Sequence, residues 1–273
     1  MRRLAGLLPA LLLLGWSGSA SPQAGLAGDA PLEIYAESGI EWHRDQQVYI
    51  ARGNARAVSG DTELRANELR AYYSGSNDGT GEIQRIEALG AVVITSPNGK
   101  VYGERGVYDV PGKVMVLTGG NLRLVTAQDT VTARDSLEYW EGKDLAVARG
   151  DAEAQRIDPE DGSLNVIRAE VMTASFYDNA GKKDLRVVDA YQSVEILTPC
   201  EYVVGDRARY LVPEQIAILT GNVKITRGSN QLNGDEAEVN LKTGISTLKG
   251  DRVTGLLVPK GGGDAPANPE CEN

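Results

Sequence analysis

The 273-residue sequence predicts an all-β protein, an elongated open antiparallel β-jellyroll built from tandem hairpin repeats. Three observations carry that expectation. Past residue 30 apolar and polar residues alternate with period two. A glycine-led strand motif returns about every 30 residues, the spacing of a two-strand unit. Residues 86–119 also align without a gap on 188–221. Composition agrees, with 32 Gly and 11 Pro as punctuation and 41% hydrophobic residues that include a single Phe. Such an interior is built from small aliphatics, and 24% charged residues argue against wholesale disorder.

The first segment reads as an address. Arg2-Arg3 form a charged start, residues 4–16 an apolar stretch, and Gly18-Ser19-Ala20 a small-residue cleavage site. The apolar stretch is shorter than the roughly 20 residues a bilayer span needs. Residues 1–20 are therefore expected to be a cleaved signal peptide. Losing Arg2 and Arg3 takes the net charge from −10 to −12.

Strand signals follow in order, among them Leu32-Glu33-Ile34, Val92-Val93-Ile94, Leu122-Arg123-Leu124 and Val223-Lys224-Ile225. No stretch sustains capped helical periodicity, so no long helix is expected. Gly-Asn and Gly-Asp pairs supply the positive φ that tight hairpins require. Two motifs recur. One starts at Gly, with apolar residues two and four positions on: Gly90 with Val92 and Ile94, Gly221 with Val223 and Ile225. The other starts at a small residue followed by an acid or amide, as in Ala66-Asn67, Gly103-Glu104, Ala169-Glu170, Gly205-Asp206 and Gly234-Asp235.

The larger repeat has a constant offset, 188 − 86 = 102, and pairs Ile94 with Ile196, Tyr108 with Tyr210 and Pro111 with Pro213. Gln192 stands where the first copy has Gly90. An even offset keeps side-chain parity, so both copies face the same way. We expect one body over 31–258, with internal repeats at about 48–119 and 147–221, and a disordered tail at 259–273.

Reactive chemistry is sparse. The acidic balance disfavours nucleic-acid binding, which needs a basic face. His43 is the one imidazole, and a surface or strand position accounts for it. The Asp158–Gly162 stretch lacks the ligand spacing of a calcium loop. Cys200 and Cys271 are allowed to pair in an exported protein, but sequence does not decide it. No nucleophile elbow or phosphate loop occurs, so neither an enzyme, a cofactor nor a metal is expected. The informative feature is the inward parity, which is apolar through Leu69, Ile94, Tyr108, Val110, Leu122, Tyr139, Phe176, Ile196, Tyr210 and Val212. Small members such as Ala71, Gly106, Ala174 and Ala208 leave volume. A packed core is one reading; an open trough for alkyl chains is the sharper one.

At Pro31-Leu32-Glu33-Ile34, at Tyr108-Asp109-Val110 through Val116-Leu117-Thr118-Gly119, and at Leu219-Thr220-Gly221-Asn222-Val223 through Gly234-Asp235, the chain resembles the LptA/OstA family of periplasmic lipopolysaccharide-transport proteins. The closing Arg252–Pro259 stretch resembles it too. The resemblance implies a V-shaped trough that carries lipopolysaccharide from inner to outer membrane with its acyl chains inside. The family's lipid-facing positions fall on Leu32, Ile34, Ile94, Tyr108 and Val110, and the duplication adds Ile196, Tyr210 and Val212. Expected partners are lipopolysaccharide, LptC-like and LptD-like jellyrolls reached through edge strands, and further copies head to tail. Alternatives are an inner-membrane-anchored jellyroll of the same machinery and a parallel β-helix polysaccharide-cleaving enzyme.

Overall fold

The structure is a computed structural model that describes residues 32–75, 81–158, 162–180, 182–240, 243 and 245–258. The expected signal peptide, the expected tail from 259 and Asn77-Asp78-Gly79 lie outside the described residues. Among the described residues, eighteen strands form one sheet. In chain order they are β1 (Glu33–Tyr35), β2 (Ile40–His43), β3 (Val48–Ser59), β4 (Thr62–Ser74), β5 (Glu82–Ser96), β6 (Gly99–Asp109), β7 (Val114–Thr118), β8 (Arg123–Val125) and β9 (Asp129–Thr132). There follow β10 (Ser136–Trp140), β11 (Leu145–Ile157), β12 (Leu164–Asn179), β13 (Lys182–Leu197), β14 (Tyr202–Leu211), β15 (Ile216–Arg227), β16 (Asn230–Asn240), β17 (Ile245–Lys249) and β18 (Thr254–Leu256). The helical turns among the described residues are 3₁₀ turns, at Arg44–Gln46 and Glu141–Lys143.

Every strand pairing is antiparallel, which excludes the parallel β-helix. The sheet is folded lengthwise into two walls. One wall holds β1, β8, β9 and β18; the other holds β2, β7, β10 and β17. Ten longer strands cross both walls, and four pairs of short strands (β1/β2, β7/β8, β9/β10, β17/β18) complete one crossing each. The result is a ladder of fourteen rungs bent along a common seam. Buried residues of both walls join in one core cluster, so the walls pack face to face.

The seam explains the two sequence motifs and corrects their reading. Each Gly-led motif is the second half of a longer strand: Gly90 lies inside β5 and Gly221 inside β15. Register shifts fall at these points, between Leu89 and Val92 and between Thr220 and Val223. Two consecutive left-handed residues make the bend, Gly221 at φ +79° and Asn222 at +50°. This is a bulge that turns the strand from one wall to the other without breaking its ladder. Gly53-Asn54, Gly150-Asp151 and Gly221-Asn222 are therefore strand corners, whereas Gly60-Asp61 makes the tight hairpin turn between β3 and β4.

The second motif supplies the cover. A Cβ on Gly221 would collide with Asp206 of the neighbouring rung, one on Gly90 with Asn67, one on Gly119 with Glu104, and one on Gly250 with Asp235. The acid or amide after each small residue thus lies over the next corner and leaves no room for a side chain. Asn222 Nδ2 donates to Asp206 at 3.0 Å and the Asp251 amide to Asp235 at 3.0 Å. One such corner has no glycine: Gln192 and Ser193 hold φ of +67° and +52° there.

Outer faces carry ion pairs, including Arg52–Glu68 at 2.9 Å and a two-pronged Arg209–Asp189 contact at 2.6 and 3.2 Å. Exposed pairs of this kind contribute little stability, about 0–1 kcal/mol each. They keep the outer parity wet and so fix which face turns inward.

Candidate functional site: the space between the walls

The inner faces carry rows of side chains in direct cross-strand register. On the first wall Ile34 faces Ala57, Ala57 faces Leu64, and Leu64 faces Ile94. That row runs on through Val101, Leu124, Val131 and Ala154 to Ile167 and Ile196, then to Val203, Ile225 and Leu232. The second wall carries two such rows. One includes Leu69, Ala88, Gly106 and Leu117 and reaches Ala208 and Leu219. The other includes Ile86, Tyr108, Met115 and Tyr139 and reaches Val188, Tyr210 and Ala217. Pairings repeat with the sequence offset: Ile86 with Tyr108 recurs as Val188 with Tyr210.

The space these rows enclose varies along the ladder. A cavity of about 240 Å³ lies between the walls, lined from β5 through β15. That exceeds the roughly 150 Å³ that admits benzene in an apolar core. Near the first rungs the space shrinks to about 10 Å³. The difference follows from side-chain size. Ala146, Ala148, Ala174, Ala190 and Ala208 line the large cavity, whereas Tyr49, Leu69, Ile86 and Ile34 crowd the small one. Trp42 stacks on Tyr49 with ring centroids 5.6 Å apart and donates from Nε1 to the Tyr73 hydroxyl at 2.8 Å.

The twelve positions expected from sequence divide accordingly. Ile94, Tyr139, Phe176, Ile196 and Tyr210 line the large cavity, and Leu32, Ile34 and Leu69 the small one. Tyr108, Val110, Leu122 and Val212 line neither. Leu122 sits against the seam beside Gly103. Tyr108 is packed in the core, its hydroxyl 3.1 Å from Glu141 Oε2. Val110 packs on the rim of that core, and Val212 lies just past the end of β14. Parity identified the inward face but not the depth at which a strand end meets the space.

Sequence reasoning missed Met115, Leu117, Met172 and Leu185, which also line the large cavity. It also missed a polar edge on the first wall. Arg156 and Asn165 are both 5% exposed and lie in cross-strand register, and Arg156 is in register with Asp129. The Arg156 guanidinium donates to both Asp129 oxygens, at 2.8 and 3.1 Å. Burial pushes the Tyr210 phenol up to about 12, with the Arg156 guanidinium pulling the other way. Burial likewise pushes Tyr139 up to about 12, helped by Asp144 and Glu141. Both phenols stay protonated at neutral pH.

Cys200 is disulfide-bonded; Cys271 lies outside the described residues. No group of three or more His, Cys, Asp or Glu able to hold a metal occurs among the described residues.

A bent antiparallel ladder with an apolar interior defines the class as an open β-jellyroll. The chain belongs to the LptA/(LptD N-terminal domain) lipopolysaccharide transport protein family, whose pattern matches residues 33–140 and 202–256, more than half of the chain. This is a transport family and not an enzyme family. The intervening stretch forms β11 to β13, which join the ladder in register. The chain is 24% identical over 145 residues to an uncharacterized protein of Rhizobium meliloti (strain 1021), covering 51% of this chain and 77% of that relative. It is also similar to LptH of Pseudomonas aeruginosa, described as the LptA-homologous periplasmic component of a lipopolysaccharide transport device. That similarity covers 85% of this chain and 97% of LptH, at 11% identity and a TM-score of 0.22.

Proposed function

We propose that the chain is a periplasmic lipopolysaccharide-binding bridge, exported by a cleaved signal peptide. It carries lipopolysaccharide from inner to outer membrane with the acyl chains between its walls. The observation that carries this reading is the set of unbroken inward rows around a cavity of about 240 Å³. Burying a 12-carbon chain gains roughly 9 kcal/mol at about 0.8 kcal/mol per CH₂. One deep pocket of that strength would trap its cargo, whereas near-equivalent sites at each rung let a chain step along. The net charge of −10 leaves phosphorylated sugars best placed in solvent outside the walls.

Partners dock at the ends of the ladder. Among the described residues, β1 and β2 pair only with β3, and β17 and β18 only with β16. Each end therefore offers unpaired backbone groups, with Tyr35, Ile245 and Leu256 exposed beside them. β-Augmentation there joins LptC-like and LptD-like jellyrolls or a further copy head to tail.

Cavity filling tests the cargo reading. Ala208→Phe should cut lipopolysaccharide binding by the purified chain at least about tenfold while the fold persists, since overpacking costs typically 1–3 kcal/mol. Outward Arg207→Phe should bind normally. Equal binding by both variants would overturn the reading.

A further inference from the structure

The large cavity is mostly apolar, and its polar border on the first wall is built. The apolar row of the first wall passes through Val131, Ala154 and Ile167; two residues further out on the same strands, still facing inward, stand Asp129, Arg156 and Asn165. All three line the cavity. Arg156 is neutralised by its two hydrogen bonds to Asp129. The Asn165 side chain is different: the residue is largely buried, its amide keeps access to the space it borders, and it makes no side-chain hydrogen bond to another described residue.

An amide that faces such a space without a protein partner is open to water or a ligand group, which normally satisfies it. From this geometry we infer that Asn165, beside the Arg156–Asp129 pair, is a seat for an uncharged polar group near the head of an acyl chain. The chemical class is a hydroxyl or an ester or amide carbonyl attached a few carbons along a chain whose remainder lies over Ala154 and Ile167. This deepens the proposed function and rests on its acyl-binding reading.

Charge decides against a phosphate. The guanidinium's formal charge is already balanced by Asp129, so the border is polar but neutral. An amide both donates and accepts, which suits a hydroxyl or carbonyl and not a dianion. Position matters as well, because β11 and β12 bring Arg156 and Asn165 from the stretch that lies outside the family match. A chain held there takes a fixed direction: polar atoms at the first wall's border, methyl end toward the second wall.

Displacement of a fluorescent fatty acid from the purified full-length chain tests the seat, using dodecanoate, 3-hydroxydodecanoate and dodecyl phosphate as competitors. The native chain should prefer the hydroxylated acid over the plain one by about fivefold, the worth of one net hydrogen bond. Asn165→Leu should bring the ratio of the two affinities to about one, and Asn165→Ala should do the same if the leucine disturbs packing. A native chain that binds both acids equally, or a preference that survives both substitutions, overturns the seat. Tightest binding of dodecyl phosphate overturns it in favour of an anionic site. Failure of all three to bind removes the acyl-binding reading and the seat with it.

Discussion

Deleting residues 120–221 should leave a shorter ladder that still folds. The cut joins Gly119 to Asn222, recreating the Gly221-Asn222 corner within the β7 crossing. In the intact chain Leu117 faces Leu137 while Leu219 faces Ala237, and Val101 faces Leu124 while Val203 faces Ile225. In the shortened chain Leu117 meets Ala237 and Val101 meets Ile225, so every inward residue keeps its parity. Six of the fourteen rungs go, which at about 4.8 Å per rung shortens the molecule by about 29 Å. The denaturant m-value, which tracks surface exposed on unfolding, should fall by about two fifths. Small-angle scattering, circular dichroism and urea titration read these quantities. The out-of-register control is deletion of 120–222, which removes a corner residue and turns Ile225 outward. Deleting only 120–220 is no such control, because Gly119-Gly221-Asn222 reproduces the natural Gly119-Gly120-Asn121 corner between β7 and β8. If the 120–221 deletion is as unfolded as the 120–222 deletion, the rungs are not interchangeable and the ladder account fails.

Gln192→Gly should stabilise the chain by about 0.5–1 kcal/mol by relieving a left-handed glutamine, and an unchanged urea midpoint would contradict that. Gly221→Ala, whose Cβ meets Asp206, should destabilise by about 1–3 kcal/mol in the same titration. Burial pushes the Glu201 carboxyl up to about 7, with Arg227 drawing it down. Its folded form therefore holds a proton that the unfolded chain releases near pH 4.5. The stability this provides is complete below that pH and is lost as pH rises through about 7, so Glu201→Gln should exceed the native chain at pH 8 by about 1–3 kcal/mol. No difference at pH 8 would show the carboxylate to be solvated. Tyr35→Lys and Leu256→Lys should weaken end-to-end association in sedimentation without lowering monomer stability, since lysines blunt strand edges.

Much of this architecture was written in local pattern. Alternation gave Ile94, Ile196 and their neighbours an inward face, because a strand's side-chain period is two. Gly90 and Gly221 stood out because only a corner covered by Asn67 or Asp206 demands glycine so regularly. The bend itself was not legible, since a bulge and a strand start leave the same local mark. Tyr108 and Leu122 looked identical to cavity residues because depth is set by which side chains face them across the walls. Asn165 was hidden for the same reason: one polar residue at a strand end reads as solvent-facing until the opposite wall is in place.

Site-specific photo-crosslinking to lipopolysaccharide tests the central claim most directly. Crosslinkers at Ile94, Ile196 and Tyr210 should capture the lipid, those at Arg105 and Arg207 should not, and Val212 should capture less than Tyr210. Equal capture at inward and outward positions would contradict a cargo held between the walls.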